Sequence, residues 1–104
     1  MSEPHVLFQD SVPYDVPSSL AALHGPVRGV LTLPLHVVWG PARTFDLSDR
    51  ADVLASYRAA VREGRSVDHE ALLDRGLLID VWRELRLPER CRIAWQDAFP
   101  ELRG

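Results

Sequence analysis

The chain contains no lysine and a single cysteine, Cys91. One thiol cannot build an intrachain disulfide framework, so a reducing compartment is expected. All twelve basic residues are arginine, which favours planar, bidentate pairing with carboxylates or phosphates, although G+C-rich coding gives the same count. The six glycines stand singly, never as GxGxxG or GxxxxGK, so no standard phosphate-cradling loop is present. Long apolar runs are missing too. The best candidate, Val30 to Trp39, is cut by Thr32, Pro34 and His36, well short of the roughly 20 apolar residues of a membrane span. Residues 1–20 carry Glu3, Asp10 and Asp15, with no basic residue before Arg28, which is not the pattern of an export signal. These absences together point to the cytoplasm, with no membrane. Net charge is scarce as well: a formal −3 argues against nucleic acid as the main ligand without excluding it, because phosphate binding normally shows as a basic excess.

What is present is the composition of one folded domain: 104 residues, 46% hydrophobic and 26% charged. Residues 1–17 read as a flexible proline-rich arm, since Pro4, Pro13 and Pro17, with Pro26 just beyond, deny a regular hydrogen-bond ladder. Residues 18–104 read as a single α+β domain. Ser18 to Gly25 predicts one or two helical turns, opened by a serine cap and closed by Gly25 in a left-handed conformation. From Val27 to Trp39 the odd positions form a period-two stripe, and Phe45 and Leu47 continue it after the Gly40-Pro41-Ala42-Arg43 turn, which predicts a hairpin. The remainder reads as helical. Asp46 or Ser48 caps a helix to Glu63 that carries Leu54, Tyr57 and Val61 and stops at Gly64. Asp68 caps a shorter piece with Leu72 and Leu73, ending near Gly76. A third segment holds Leu78, Val81, Trp82 and Leu85, and Pro88 opens a last helix with Cys91, Ala94, Trp95 and Ala98 up to Phe99, where Pro100 ends it. The expected fold is therefore a small β-hairpin, or edge sheet, packed against three or four C-terminal helices.

Few residues announce chemistry. His5, His24, His36 and His69 lie on four separate elements without ligand spacing, so no metal is expected, and no cofactor either. Ser18, Ser19, His24 and Asp15 offer the residue types of a nucleophilic triad, but no nucleophile elbow surrounds the serines. Cys91, flanked by Arg90 and Arg92 near a helix start, is the sharpest enzymatic hint, set against its place on the buried stripe with Trp95. Arg83, Arg86, Arg90 and Arg92 outnumber Glu84 and Glu89, a patch suited to phosphate or to an acidic partner. Pro34 is more informative: it lacks the amide hydrogen that a central strand donates, so it marks an interrupted or edge strand open to pairing with another chain. The expected partner-binding residues are Phe8 and Tyr14 from the arm, then Leu33, Pro34, His36 and Trp39 along the strand. Self-pairing of this edge into a homodimer is the other way to use it.

The pieces Leu20-Ala21-Ala22-Leu23-His24-Gly25-Pro26, Gly29-Val30-Leu31-Thr32-Leu33-Pro34-Leu35, Val38-Trp39, Phe45-Asp46-Leu47 and Leu85-Arg86-Leu87-Pro88 resemble small proteins of G+C-rich bacteria that accompany AbiEii-type nucleotidyltransferase toxins. The resemblance covers about residues 18–102 and rests on apolar and turn residues, which specify a fold. It implies a cytoplasmic antitoxin that binds a cognate toxin, blocks its nucleotide or RNA site and catalyses nothing, and it transfers no catalytic residues. The alternative is a small transcriptional regulator whose helices from residue 68 onward bind DNA through the arginine patch. An enzyme built around Cys91 ranks last.

Overall fold

The alternation around Leu31 forms a strand because one side of it has a core to face. In the computed structural model, which describes residues 14–38, 40, 41 and 43–103, β1 spans Val30–Thr32 and β2 spans Thr44–Asp46. They pair antiparallel, with Val30 opposite Asp46, Leu31 opposite Phe45 and Thr32 opposite Thr44. Leu31 is buried and Phe45 packs beside it on the core, while Val30, Thr32, Thr44 and Asp46 face outward.

The strand is shorter than its apolar stripe. After Leu33 the chain turns on Pro34, whose carbonyl accepts from the N–H groups of Val37 (3.0 Å) and Val38 (3.2 Å). Leu33 and Val37 are thereby both buried, whereas Leu35 between them is exposed. A four-residue turn thus puts two odd-numbered apolar residues inward, as an extended strand would. The ladder closes through Leu33 N–H to Arg43 O (2.9 Å). In the reverse direction the Arg43 guanidinium donates to Leu33 O at 3.2 Å, because the Arg43 amide is occupied with Pro41 O.

Leu20–Ala22 forms a single 3₁₀ turn, capped by the Ser19 side chain. Gly25 has no left-handed backbone. It is small because the chain runs against another backbone: His24 N–H bonds Glu70 O and Gly25 N–H bonds Leu73 O, and a Cβ on Gly25 would lie 2.3 Å from the Leu72 carbonyl.

Four α-helices follow. α1 (Arg50–Glu63) is capped by Asp49, later than Asp46 or Ser48, and buries Val53, Ser56, Tyr57, Ala60 and Val61. The buried Ser56 hydroxyl donates to Val53 O, and the Tyr57 oxygen accepts the Asp74 N–H at 2.9 Å. Burial pushes the Tyr57 hydroxyl up to about 12. In α2 (Ser66–Leu72) Asp68 is not the cap but sits one turn in, where its carboxylate takes the Arg65 N–H. α3 (Arg75–Val81) starts at Asp74, which accepts from Leu77 N–H. A 3₁₀ turn over Trp82–Glu84, a corner at Arg86, α4 (Glu89–Ala98) and a final 3₁₀ turn over Pro100–Arg103 complete the described chain. The architecture is a two-stranded antiparallel hairpin followed by C-terminal helices, an α+β domain.

The core closes around Trp95, which contacts the rings of His69 (4.7 Å between centroids), Trp82 and Phe99 (both 6.0 Å). Each fully buried leucine, such as Leu33, Leu73, Leu78 or Leu85, contributes about 2 kcal/mol by transfer from water. The links from Arg50 at the start of α1 to Asp80 and Glu84 lie in solvent, where ion pairs add little. Apolar burial, not surface charge, holds the helices. Of the expected arm only Tyr14 to Pro17 is described, and these residues are not free: Tyr14 and Val16 pack on the core and Pro17 is buried.

Candidate functional site

The two edges of the hairpin differ. Because Gly29–Leu47 and Leu33–Arg43 carry ladder bonds, the alternate pairs Val30–Asp46 and Thr32–Thr44 turn their backbone groups outward. On β2 this edge is obstructed at Asp46, since the Asp52 carboxylate of α1 accepts the Asp46 N–H at 2.8 Å and the Asp46 carbonyl accepts the Asp49 N–H at 3.0 Å. Asp46 is itself occupied by the Ser48 hydroxyl (2.7 Å) and amide (2.9 Å), which hold its carboxyl below the usual carboxylate range. On β1, the N–H and C=O groups of Val30 and Thr32 receive no hydrogen bond from the described residues. Val30 is 62% exposed, and Val27 and Leu35 on either side of the strand are exposed as well. An unpaired edge beside three exposed aliphatic side chains can add a strand from another polypeptide and cover apolar surface in doing so.

The expected docking residues divide on inspection. Leu33 is wholly buried and belongs to the core, so it offers a partner nothing. Pro34 lies in the connection beyond β1 and not within the strand; the edge is open because the sheet has two strands among the described residues. His36 is exposed but committed to Asp68 at 2.8 Å. Partial burial works to raise the Asp68 carboxyl, but the Arg65 N–H and the His36 ring outweigh it and leave it lowered. Tyr14 packs partly on the core. Phe8 and Trp39 lie outside the described residues. Val27, Val30 and Leu35 are the better edge residues; Val30 was legible as an apolar side chain on the even, outward register, whereas Val27 and Leu35 stand on the odd stripe expected to face the core and are exposed because they fall outside β1.

The arginine patch is rearranged. Arg83, Arg86 and Arg92 line one cavity of about 360 Å³, joined by Arg103 from the C-terminal turn. Trp82, Leu87 and Leu102 supply its apolar lining and Gln96 an amide. Arg90 is not among the lining residues. Arg92 is paired with Glu89, and Arg103 with Asp97 at 2.6 Å. Arg86 has a positive φ of 53°, a left-handed backbone unusual for a side-chain-bearing residue.

The other candidates dissolve. Cys91 is fully buried, and burial pushes its thiol up to about 11, away from nucleophilic reactivity. The Ser18 hydroxyl donates to Glu70 at 3.0 Å, while His24 is engaged with Ala22 O, so the triad residue types are not assembled. Among the described residues no three of His, Cys, Asp and Glu gather as a metal site, and no helix is long and apolar enough to cross a membrane. No family model matches the chain, and neither a curated protein nor a solved structure matches it.

Proposed function

We propose that this chain is a non-catalytic binding module of the cytoplasm that grips another protein by strand addition at the outer edge of β1, and that this partner is a nucleotidyltransferase-type toxin which it neutralises as an antitoxin. The mode of docking is supported by one observation, the backbone of Val30 and Thr32, unpaired among the described residues, beside exposed Val27 and Leu35. The partner's class is supported by the resemblance of residues 18–102. DNA binding by the C-terminal helices is the weaker reading, because the arginines gather in a concavity and the chain is net acidic.

Co-expression with the product of the adjacent gene, followed by size-exclusion chromatography, tests the proposal. The expected outcome is co-elution by the unaltered chain and its loss in Val30→Lys, which places a charge on the edge without touching the core. Separate peaks at both low and physiological salt would remove the antitoxin reading. Co-elution unaffected by Val30→Lys would remove the edge. Elution of the chain alone as a dimer that Val30→Lys dissociates would assign the edge to self-pairing instead.

A further inference from the structure

We infer that the cavity between the corner at residues 82–87, α4 and the C-terminal 3₁₀ turn is a binding site for a small phosphate-bearing ligand of nucleotide size. It goes beyond the docking reading and uses none of the β1-edge residues, so either can fail alone. At about 360 Å³ the cavity lies at the small end of ligand pockets and suits a small molecule, not a folded domain or a duplex. Four arginines line it, and among the described residues no aspartate or glutamate does, although the chain as a whole is net acidic. Arg92 and Arg103 are engaged by Glu89 and Asp97, acidic residues that are not among those lining the cavity. Arg83 and Arg86 have no such partner among the described residues. Like charges gathered in this way repel one another, and a bound dianion would relieve that repulsion.

Phosphate fits the array better than a carboxylate does. Its tetrahedral oxygens can meet guanidinium forks from several directions, whereas the two coplanar oxygens of a carboxylate are matched by one fork. The backbone at Arg86 adds a second observation, since its φ of 53° is one that glycine adopts without strain. An arginine kept there in spite of that strain points to use of its side chain. Leu87, Leu102 and Gln96 provide mixed apolar and amide surface for the organic group carrying the phosphate.

Calorimetric titration of the full chain with ADP, pyrophosphate and adenosine, followed in parallel by tryptophan fluorescence, tests the inference. ADP and pyrophosphate are expected to bind saturably and adenosine not at all, with affinity falling about tenfold in Arg83→Gln and again in Arg86→Gly. Arg86→Gly should melt at or above the temperature of the unaltered chain, which separates lost binding from lost folding. Absence of ADP and pyrophosphate binding, or affinities unchanged in both variants, would overturn the assignment. So would tighter binding of an aspartate-rich peptide than of pyrophosphate, which would give the cavity to an acidic protein segment.

Discussion

Gly25 and Gly29 stand four positions apart and are glycine for opposite reasons. At Gly25 a methyl group would meet the Leu72 carbonyl carbon and oxygen at 2.3 Å and the Leu73 nitrogen at 2.6 Å, backbone atoms that cannot rotate aside. At Gly29 a methyl group would meet nothing within 4 Å, but the backbone has φ +88°. Gly25→Ala is therefore expected to cost about 3 kcal/mol or more, and Gly29→Ala about 1 kcal/mol from backbone strain alone. Urea denaturation of the two variants reads the difference, and equal, mild losses would mean that the chain does not approach α2 this closely. In the sequence Gly25 reads as the close of a helical turn and Gly29 as a member of the strand stripe. What distinguishes Gly25 is contact with residues nearly fifty positions later, which leaves no local trace.

At the scale of elements, Asp52 joins α1 to the sheet and obstructs the β2 edge at Asp46 with one hydrogen bond. Asp52→Ala leaves the Asp46 N–H exposed and opens that edge further. The expected result is concentration-dependent self-association in sedimentation velocity, absent from the unaltered chain at the same loading. An unchanged sedimentation profile would mean that something other than Asp52 protects β2. The hairpin and its orientation were legible in the sequence because Leu31 and Phe45 share a period of two. Strand length was not, because Leu33 and Val37 are four residues apart across a turn and are buried by that route as well. Helix existence could be read from apolar spacing, but cap identity could not. Asp46, Asp49, Asp68 and Asp74 all precede apolar residues, and tertiary position decides which carboxylate meets a free amide. For the cavity, Arg83, Arg86 and Arg92 were visible as a run of charge and Gln96 follows Arg92 by one turn of α4, whereas Arg103 joins them because Leu102 is buried and folds the last turn back.

For the molecule as a whole, the most consequential titration is in the core. His69 is fully buried against Trp95, and neither ring nitrogen has a hydrogen-bond partner. Burial lowers its pKa from the ordinary value of 6.5, opposed by the Ala60 carbonyl, which does not meet hydrogen-bond geometry, and by the charges of Asp15, Asp68 and Glu70. As pH falls below 6.5, the unfolded chain takes up a proton that the folded chain refuses, so stability declines from there toward the lowered folded value. The lowered carboxyls add their losses only at more acid pH: Asp46 and Asp68 start from 3.8, Glu70 and Glu84 from 4.5. Denaturation midpoints are thus expected to drop between about pH 7.5 and about pH 5.5 in the unaltered chain and to stay level in His69→Phe. That variant also removes two unsatisfied polar atoms, so it should be no less stable at neutral pH. Parallel profiles for the two proteins would show that His69 is not the group responsible.

The unequal hairpin edges also limit stoichiometry. A twin that pairs β1 against β1 uses the more open flank of both copies, and the dimer made that way presents only two β2 flanks, each obstructed at Asp46. Strand addition then favours a heterodimer or a closed homodimer, and each further step toward a fibre has to displace the Asp52 carboxylate from Asp46.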